Sequence, residues 1–142
     1  MANWLLKQEP DCYSFADLVR DAATVWDGVK NPLALKYLRL CAAGDTAFYY
    51  HTGKERAIIG IMEITGAAVH DANSEGEKLA SLPVKAVRAL ANPVTLATIK
   101  ADPRFEKWEL VRMSRLSVMP CSEEFWNRVL ELAGERVPEP PG

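Results

Sequence analysis

Apolar and polar positions change period several times along this chain, and the changes mark its elements. Asn3-Trp4-Leu5-Leu6-Lys7-Gln8, apolar in its middle and closed by Glu9-Pro10-Asp11, predicts a buried opening strand. Ser14 and Asp17 have capping-box spacing, so a short helix follows through Phe15, Leu18 and Val19. From Pro32 to about Cys41 an apolar stripe at Ala34, Tyr37, Leu38 and Cys41 recurs with helical period, leaving Lys36 and Arg39 on the other face. Thr46-Ala47-Phe48-Tyr49-Tyr50-His51 is rich in strand formers, and Thr52 to Arg56 is a charged hairpin-type connection. Ala57 to Val69 predicts a long strand, bulged or bent at Gly60 and Gly66. His70 to Ser81 is polar and reads as a loop, whereas Val84 to Leu90 alternates apolar and basic like a strand with one wet face.

Further on, Thr95 caps a short helix over Leu96 to Ala101, and Asp102-Pro103 starts another over Arg104 to Glu109. Leu110 to Arg112 and Leu116 to Pro120 read as short strands joined by Ser114-Arg115. The last helix has the clearest pattern. Ser122 caps it, Glu123 and Glu124 suit its positive end, Phe125, Trp126, Val129, Leu130 and Ala133 form one stripe, and Gly134 stops it. This order predicts an α+β fold, a small mixed barrel of about five to six strands flanked by helices. At 142 residues it is one domain, taken as 1–136, with a Pro-rich tail over 137–142 expected to be disordered.

One stretch carries more chemistry than packing requires. Thr24 to Pro32 holds an aromatic, a carboxylate, a glycine, a cation and a carboxamide within a few positions. Asp27-Gly28 is a turn signal, because glycine accepts a positive φ without cost. Asn31-Pro32 is a helix start, with Asn31 capping and Pro32 in the first turn. Trp26 therefore stands at the end of an extended segment just before a helix N-terminus. Its ring can be ordinary core, or it can offer a face to a ligand; these residues alone allow both.

Composition narrows the function. No apolar run approaches membrane-spanning length and no basic-then-apolar leader opens the chain, so a cytoplasmic protein is expected, nuclear in a eukaryote. Three dispersed cysteines argue against a disulfide framework. A net charge of −2 means that any contact with nucleic acid must come through a local basic rim and a specific pocket.

Catalytic patterns are missing: there is no G-x-S-x-G, P-loop, G-x-G-x-x-G, C-x-x-C or H-E-x-x-H, and His51 and His70 lack metal-ligand spacing. No metal or cofactor is expected. Lys7 with Glu9 makes either an acid–base pair or, more simply, a surface ion pair. Binding chemistry is better supplied. Trp26, Tyr49, Tyr50 and His51 are π surfaces that carry donors or acceptors, Asn31 offers a carboxamide, and Arg112 and Arg115 are forked donors. Lys30, Lys54 and Arg56 extend a positive rim. These groups suit a heterocyclic base, whose stacking on an aromatic contributes on the order of 1–3 kcal/mol. They also suit plain amphipathic strand ends.

An ordered set of motifs resolves this. Trp4-Leu5-Leu6-Lys7-Gln8-Glu9-Pro10, Tyr13-Ser14-Phe15, Trp26-Asp27-Gly28-Val29-Lys30-Asn31, Gly44-Asp45 with Tyr49-Tyr50-His51, Gly60-Ile61 with Glu63, and Arg112 with Ser114-Arg115-Leu116-Ser117-Val118 resemble the successive motifs of the EVE domain family. The resemblance runs from Trp4 to the final helix. It implies a PUA-like barrel, related to ASCH and YTH folds, and a non-catalytic reader of DNA or RNA carrying a methylated or oxidised base flipped into a pocket. It also implies a pocket of Trp26, Asn31, Tyr50, His51, Arg115, Leu116 and Ser117, with Lys30, Lys54, Arg56 and Arg112 meeting phosphates. ASCH-like hydrolysis of modified nucleosides, or an interaction scaffold, are the alternatives. Two departures stand out: Pro32-Leu33-Ala34-Leu35 is more apolar than usual for the family, and the segment from His70 to Ser81 is short.

Overall fold

A computed structural model describes residues 2–72 and 78–135, without the side chains of 70–72 and 78–79. The polar segment after His70 and the Pro-rich tail therefore lie partly or wholly outside the described residues. Seven strands form the sheet: β1 (Asn3–Gln8), β2 (Ala23–Trp26), β3 (Thr46–His51), β4 (Ala57–Ile64), β5 (Val69–Ala72), β6 (Lys78–Thr95) and β7 (Val118–Cys121). Among the described residues five α-helices accompany them, α1 (Phe15–Asp21), α2 (Pro32–Leu40), α3 (Leu96–Ala101), α4 (Glu109–Arg112) and α5 (Glu123–Leu132), with one 3-10 turn at Pro103–Phe105. The strand order is β2-β6-β4-β3-β1-β7, with β5 paired to the start of β6. Among the described residues only β1 and β3 run parallel, and every other pairing is antiparallel.

The sheet curls but its two edge strands, β2 and β7, do not pair. Helix α2 follows β2 directly and packs on both β6 and β7, so it stands in the seam between the edges. Its buried Ala34, Leu35 and Leu38 supply the apolar face that makes this possible. The result is the curled PUA-like architecture expected from the sequence, with seven strands where five to six were read.

The caps fall where the residues place them. Ser14 and Asp17 form a complete capping box for α1, Thr95 accepts from the Thr98 amide, and Ser122 accepts from the Phe125 amide. Gly28 turns the chain at φ 77°, a conformation that costs other residues. Gly60 answers a different need. A Cβ there would lie 2.4 Å from Cζ of Phe15, so the glycine lets the ring at the head of α1 sit against the sheet.

Five expectations change. The helix read over Arg104 to Glu109 is a single 3-10 turn, Pro103–Phe105, because only the Phe105 and Glu106 amides close it, onto the Asp102 and Pro103 carbonyls. Leu110 to Arg112 is helical, not extended, because the Trp108 carbonyl collects the amides of Val111 and Arg112. The next strand starts only at Val118. Ala57 to Val69 is two strands, β4 and β5, separated at Thr65 to Ala68. The segment read as a loop after His70 is, where described, a hairpin in which Val69 faces Ser81 and Ala72 faces Lys78. Strand β6 is thus far longer than the alternating Val84–Leu90 run. It passes Asn92-Pro93 by bulging, since Val94 pairs with Ile58 but Ala89 pairs with Gly60.

Candidate nucleic-acid interface

The strand ends collect at one side of the sheet. Gln8 pairs with His51, His51 with Ala57, and Ala57 with Thr95, so the ends of β1, β3, β4 and β6 stand in a row. The segment entering β7 reaches the same place, because the Lys7 amide donates to the Ser117 carbonyl at 2.9 Å. Beyond this row lies a recess of about 380 Å³ between the N-terminus of α2 and the segment that follows α4. Asn31, Leu33, Arg112, Met113, Ser114, Arg115 and Leu116 line it.

The predicted site residues divide. Asn31, Arg112, Arg115 and Leu116 meet at the recess. Asn31 Oδ1 already accepts from the amides of Leu33 (2.9 Å) and Ala34 (3.0 Å), so its free chemistry is the Nδ2 donor. Both arginines are exposed, and Leu116 is buried beneath them. Ser117 lends its carbonyl to Lys7. Tyr50 is buried nearby, with Lys7 Nζ 5.4 Å from its ring centroid, and the same Nζ donates to the Ser114 carbonyl at 3.1 Å. Burial, assisted by the charge of Lys100, lowers the Lys7 ammonium below its ordinary range. Glu9 accepts instead from Cys12 Sγ, so the lysine's partners lie on the recess side.

Trp26 and His51 belong to a different cluster. Tyr49 is its hub, meeting Trp26 edge-on at 5.2 Å, Phe15 at 5.5 Å and His51 at 5.5 Å between centroids. Trp26 is only 4% exposed and does not line the recess. His51 Nε2 accepts the Phe15 amide at 3.0 Å, which fixes the tautomer protonated at Nδ1, and that nitrogen faces Glu55 Oε2 at 3.2 Å. Adjacent tyrosines thus go to separate surroundings: Tyr49 to the aromatic cluster, Tyr50 toward Lys7.

Charge segregates as well. Asp17, Asp21, Glu63, Asp102, Glu131 and Glu135 are paired with Arg20, Lys85, Arg88 and Arg128, away from the recess. Among the described residues no carboxylate pairs with Lys30, Lys54, Arg56, Lys100, Arg112 or Arg115. Arg56 and Arg112 donate only to backbone carbonyls, of Gly53 and Lys107, and cations without a carboxylate partner are available to phosphates. Met113 and Lys100 were not singled out from the sequence; exposed single residues at the ends of short elements carry no pattern that marks them.

The EVE domain model matches residues 2–132. The chain belongs to the EVE domain family. This EVE domain is 29% identical to thymocyte nuclear protein 1 of Gallus gallus over 94% of the chain and 69% of the relative. A protein from Rhodopseudomonas palustris solved by NMR superposes with a TM-score of 0.87 at 37% identity, covering 94% of each chain. Human THYN1, crystallised in complex with DNA containing 5-methylcytosine, superposes at 0.87 with 27% identity, covering 96% of this chain and 99% of that one. An ASCH protein from Zymomonas mobilis, at 13% identity and a TM-score of 0.66 over 93% of this chain and 99% of that one, shares the fold. No described helix of this EVE domain is long and apolar enough to cross a membrane. No cluster of three or more metal-ligating side chains occurs among its described residues.

Proposed function

We propose that this EVE domain is a non-catalytic reader of DNA carrying a modified base, and that the base enters the recess between Asn31 and Arg115. The convergence of a helix-capping carboxamide, two arginines without carboxylate partners and apolar walls on one recess carries the reading. The human relative bound to 5-methylcytosine DNA supports the ligand class. The recess volume of about 380 Å³ falls within the range of small-ligand clefts, about 300–1,000 Å³.

Each lining group has a task. A base extruded from its stack loses a few kcal/mol, which new contacts must offset. Leu33, Met113 and Leu116 give apolar contact to the ring and to an added methyl group. The planar guanidinium of Arg115 stacks on the ring or forks onto an edge, and Arg112 and Lys30 meet flanking phosphates. Asn31 Nδ2 donates to an acceptor on the base edge. Lys7, over Tyr50 and bonded to the Ser114 carbonyl, holds the wall that carries Arg115. In this reading Trp26 and His51 are the framework behind the site rather than the stacking faces.

The test is affinity for a short single-stranded DNA with one 5-methylcytosine against the same strand unmodified, by fluorescence anisotropy. Preference for the modified strand is expected, reduced by Arg115→Ala with unchanged melting temperature; equal affinity for the two strands rejects the reading. The lowered ammonium of Lys7 beside a recess favours one second reading, a hydrolase of modified nucleosides in which this amine moves a proton. Incubation with acylated or alkylated nucleosides separates the two, since a reader yields no product.

A further inference from the structure

A second recess opens along the same row of strand ends. It encloses about 530 Å³ between the β3–β4 turn and the start of α3, and its wall includes Lys54, Glu55, Arg56, Thr95, Leu96 and Lys100. The Leu96 amide donates to the Arg56 carbonyl at 2.7 Å, which ties the two walls together. Arg56 itself has a φ of 43°, unusual for a side chain of its size. Glu55, the carboxylate in the wall, lies 3.2 Å from His51 Nδ1, Arg56 Nε donates to the Gly53 carbonyl at 3.3 Å, and none of the three cations pairs with a carboxylate among the described residues.

Lys7 links the two recesses without lining either of them. Lys7 and Tyr50 pair across β1 and β3, one position in from Gln8 and His51. Lys7 bonds the wall of the first recess at Ser114 and lies within electrostatic reach of Lys100 in the second. Tyr50 likewise feels Arg56. Basic side chains thus flank both recesses, Arg112 and Arg115 at the first and Lys54, Arg56 and Lys100 at the second, with Lys7 near both, on a chain whose net charge is −2. An excess of cations beside a base-sized recess matches the chemistry of a strand that keeps its phosphates outside while one base turns in.

We propose that the recess of Lys54, Arg56 and Lys100 is a phosphate subsite for the nucleic-acid strand whose base enters the Asn31–Arg115 recess; it rests on that reading. The subsite adds affinity and strand direction but no base preference, because cations on phosphates position and do not discriminate.

The experiment compares the wild type, the double variant Lys54→Ala/Lys100→Ala and Arg115→Ala. Each is titrated across a salt series with single-stranded DNA bearing one 5-methylcytosine and with the unmodified strand. The double variant should bind both strands several-fold more weakly, with a plot of log affinity against log salt shallower by about 0.7 for each phosphate left unneutralised. Its ratio of modified to unmodified affinity should stay at the wild-type value, and its melting temperature should not move. Arg115→Ala should lower that ratio. A double variant with wild-type affinity and slope overturns the subsite. An unchanged ratio in Arg115→Ala overturns the base reading alone, and no binding of either strand by the wild type overturns both. The free nucleoside of 5-methylcytosine, which has no phosphate, should bind the wild type and the double variant equally; weaker binding by the double variant also overturns the subsite.

Discussion

Trp26 shows how one residue can look functional in sequence and structural in space. Its neighbours Asp27, Gly28 and Asn31 advertise a turn and a cap, yet its ring lies buried against Tyr49. Truncation to alanine should therefore cost about 3–5 kcal/mol of stability, as for other buried large aromatics. Chemical denaturation checks this, and a near-wild-type midpoint would move Trp26 back among the ligand-facing groups. Asn31 permits a finer separation. Its oxygen is committed to the cap and its nitrogen is not. Asn31→Asp keeps the capping oxygen, so the melting temperature should hold, while replacing the donor by an acceptor should weaken binding of the modified strand. Asn31→Ala should lose both, with about 1 kcal/mol of stability going with the cap. No sequence pattern distinguishes the two ends of that carboxamide; only the partners of its oxygen do.

At the scale of elements, legibility follows how local the cause is. Ser14, Asn31, Thr95 and Ser122 cap helices through bonds to amides two or three residues away, and all four starts can be read from the chain. Strand β3 is dense in strand formers, and β1 is plain from its apolar middle. The misread elements are those governed by distant partners. Leu110 to Arg112 is too short to show a period, and its turn is set by Trp108, whose indole N–H donates to the Pro120 carbonyl at 3.0 Å. Pro83 and Asn92-Pro93 punctuate β6 like turns. The strand survives them because the bulge at Leu90 to Pro93 is tied down by α5 and its end: the Ala91 amide donates to Glu135, and Asn92 Nδ2 donates to the Ala133 carbonyl. Within the site, the cluster of Asn31 with Arg112, Arg115 and Leu116 was foreshadowed by the order of motifs. The separation of Tyr49 from Tyr50 was not, because alternation assigns opposite sides without naming them. Gly60→Ala offers a test at this scale. The new Cβ must displace the Phe15 ring, so α1 should loosen from the sheet, and a lowered melting temperature with reduced near-ultraviolet dichroism would report it.

The whole molecule is held at its other end by Asp45. Burial pushes this carboxyl up, but donation from the Trp4 indole and the amides of Ala42 and Ala2 outweighs that and holds it below the usual aspartate range. A group whose folded pKa is depressed adds stability that is fully present above its unfolded value, about 3.9, and fades as pH falls through the folded one. The stability advantage of the wild type over Asp45→Asn should therefore be constant near neutrality and shrink below about pH 4. Denaturation midpoints across that range check it; an advantage that grew on acidification would contradict the bonding around Asp45. The arrangement of strands has a further consequence, for how the molecule comes into being. Strand β1 is flanked by β3 on one side and β7 on the other, with Leu6 beside Val118. During synthesis it must wait, one edge bare, until the more than a hundred residues up to β7 have left the ribosome, since its other partner is Val118–Cys121. An apolar segment left open so long is a natural template for pairing with a second nascent copy.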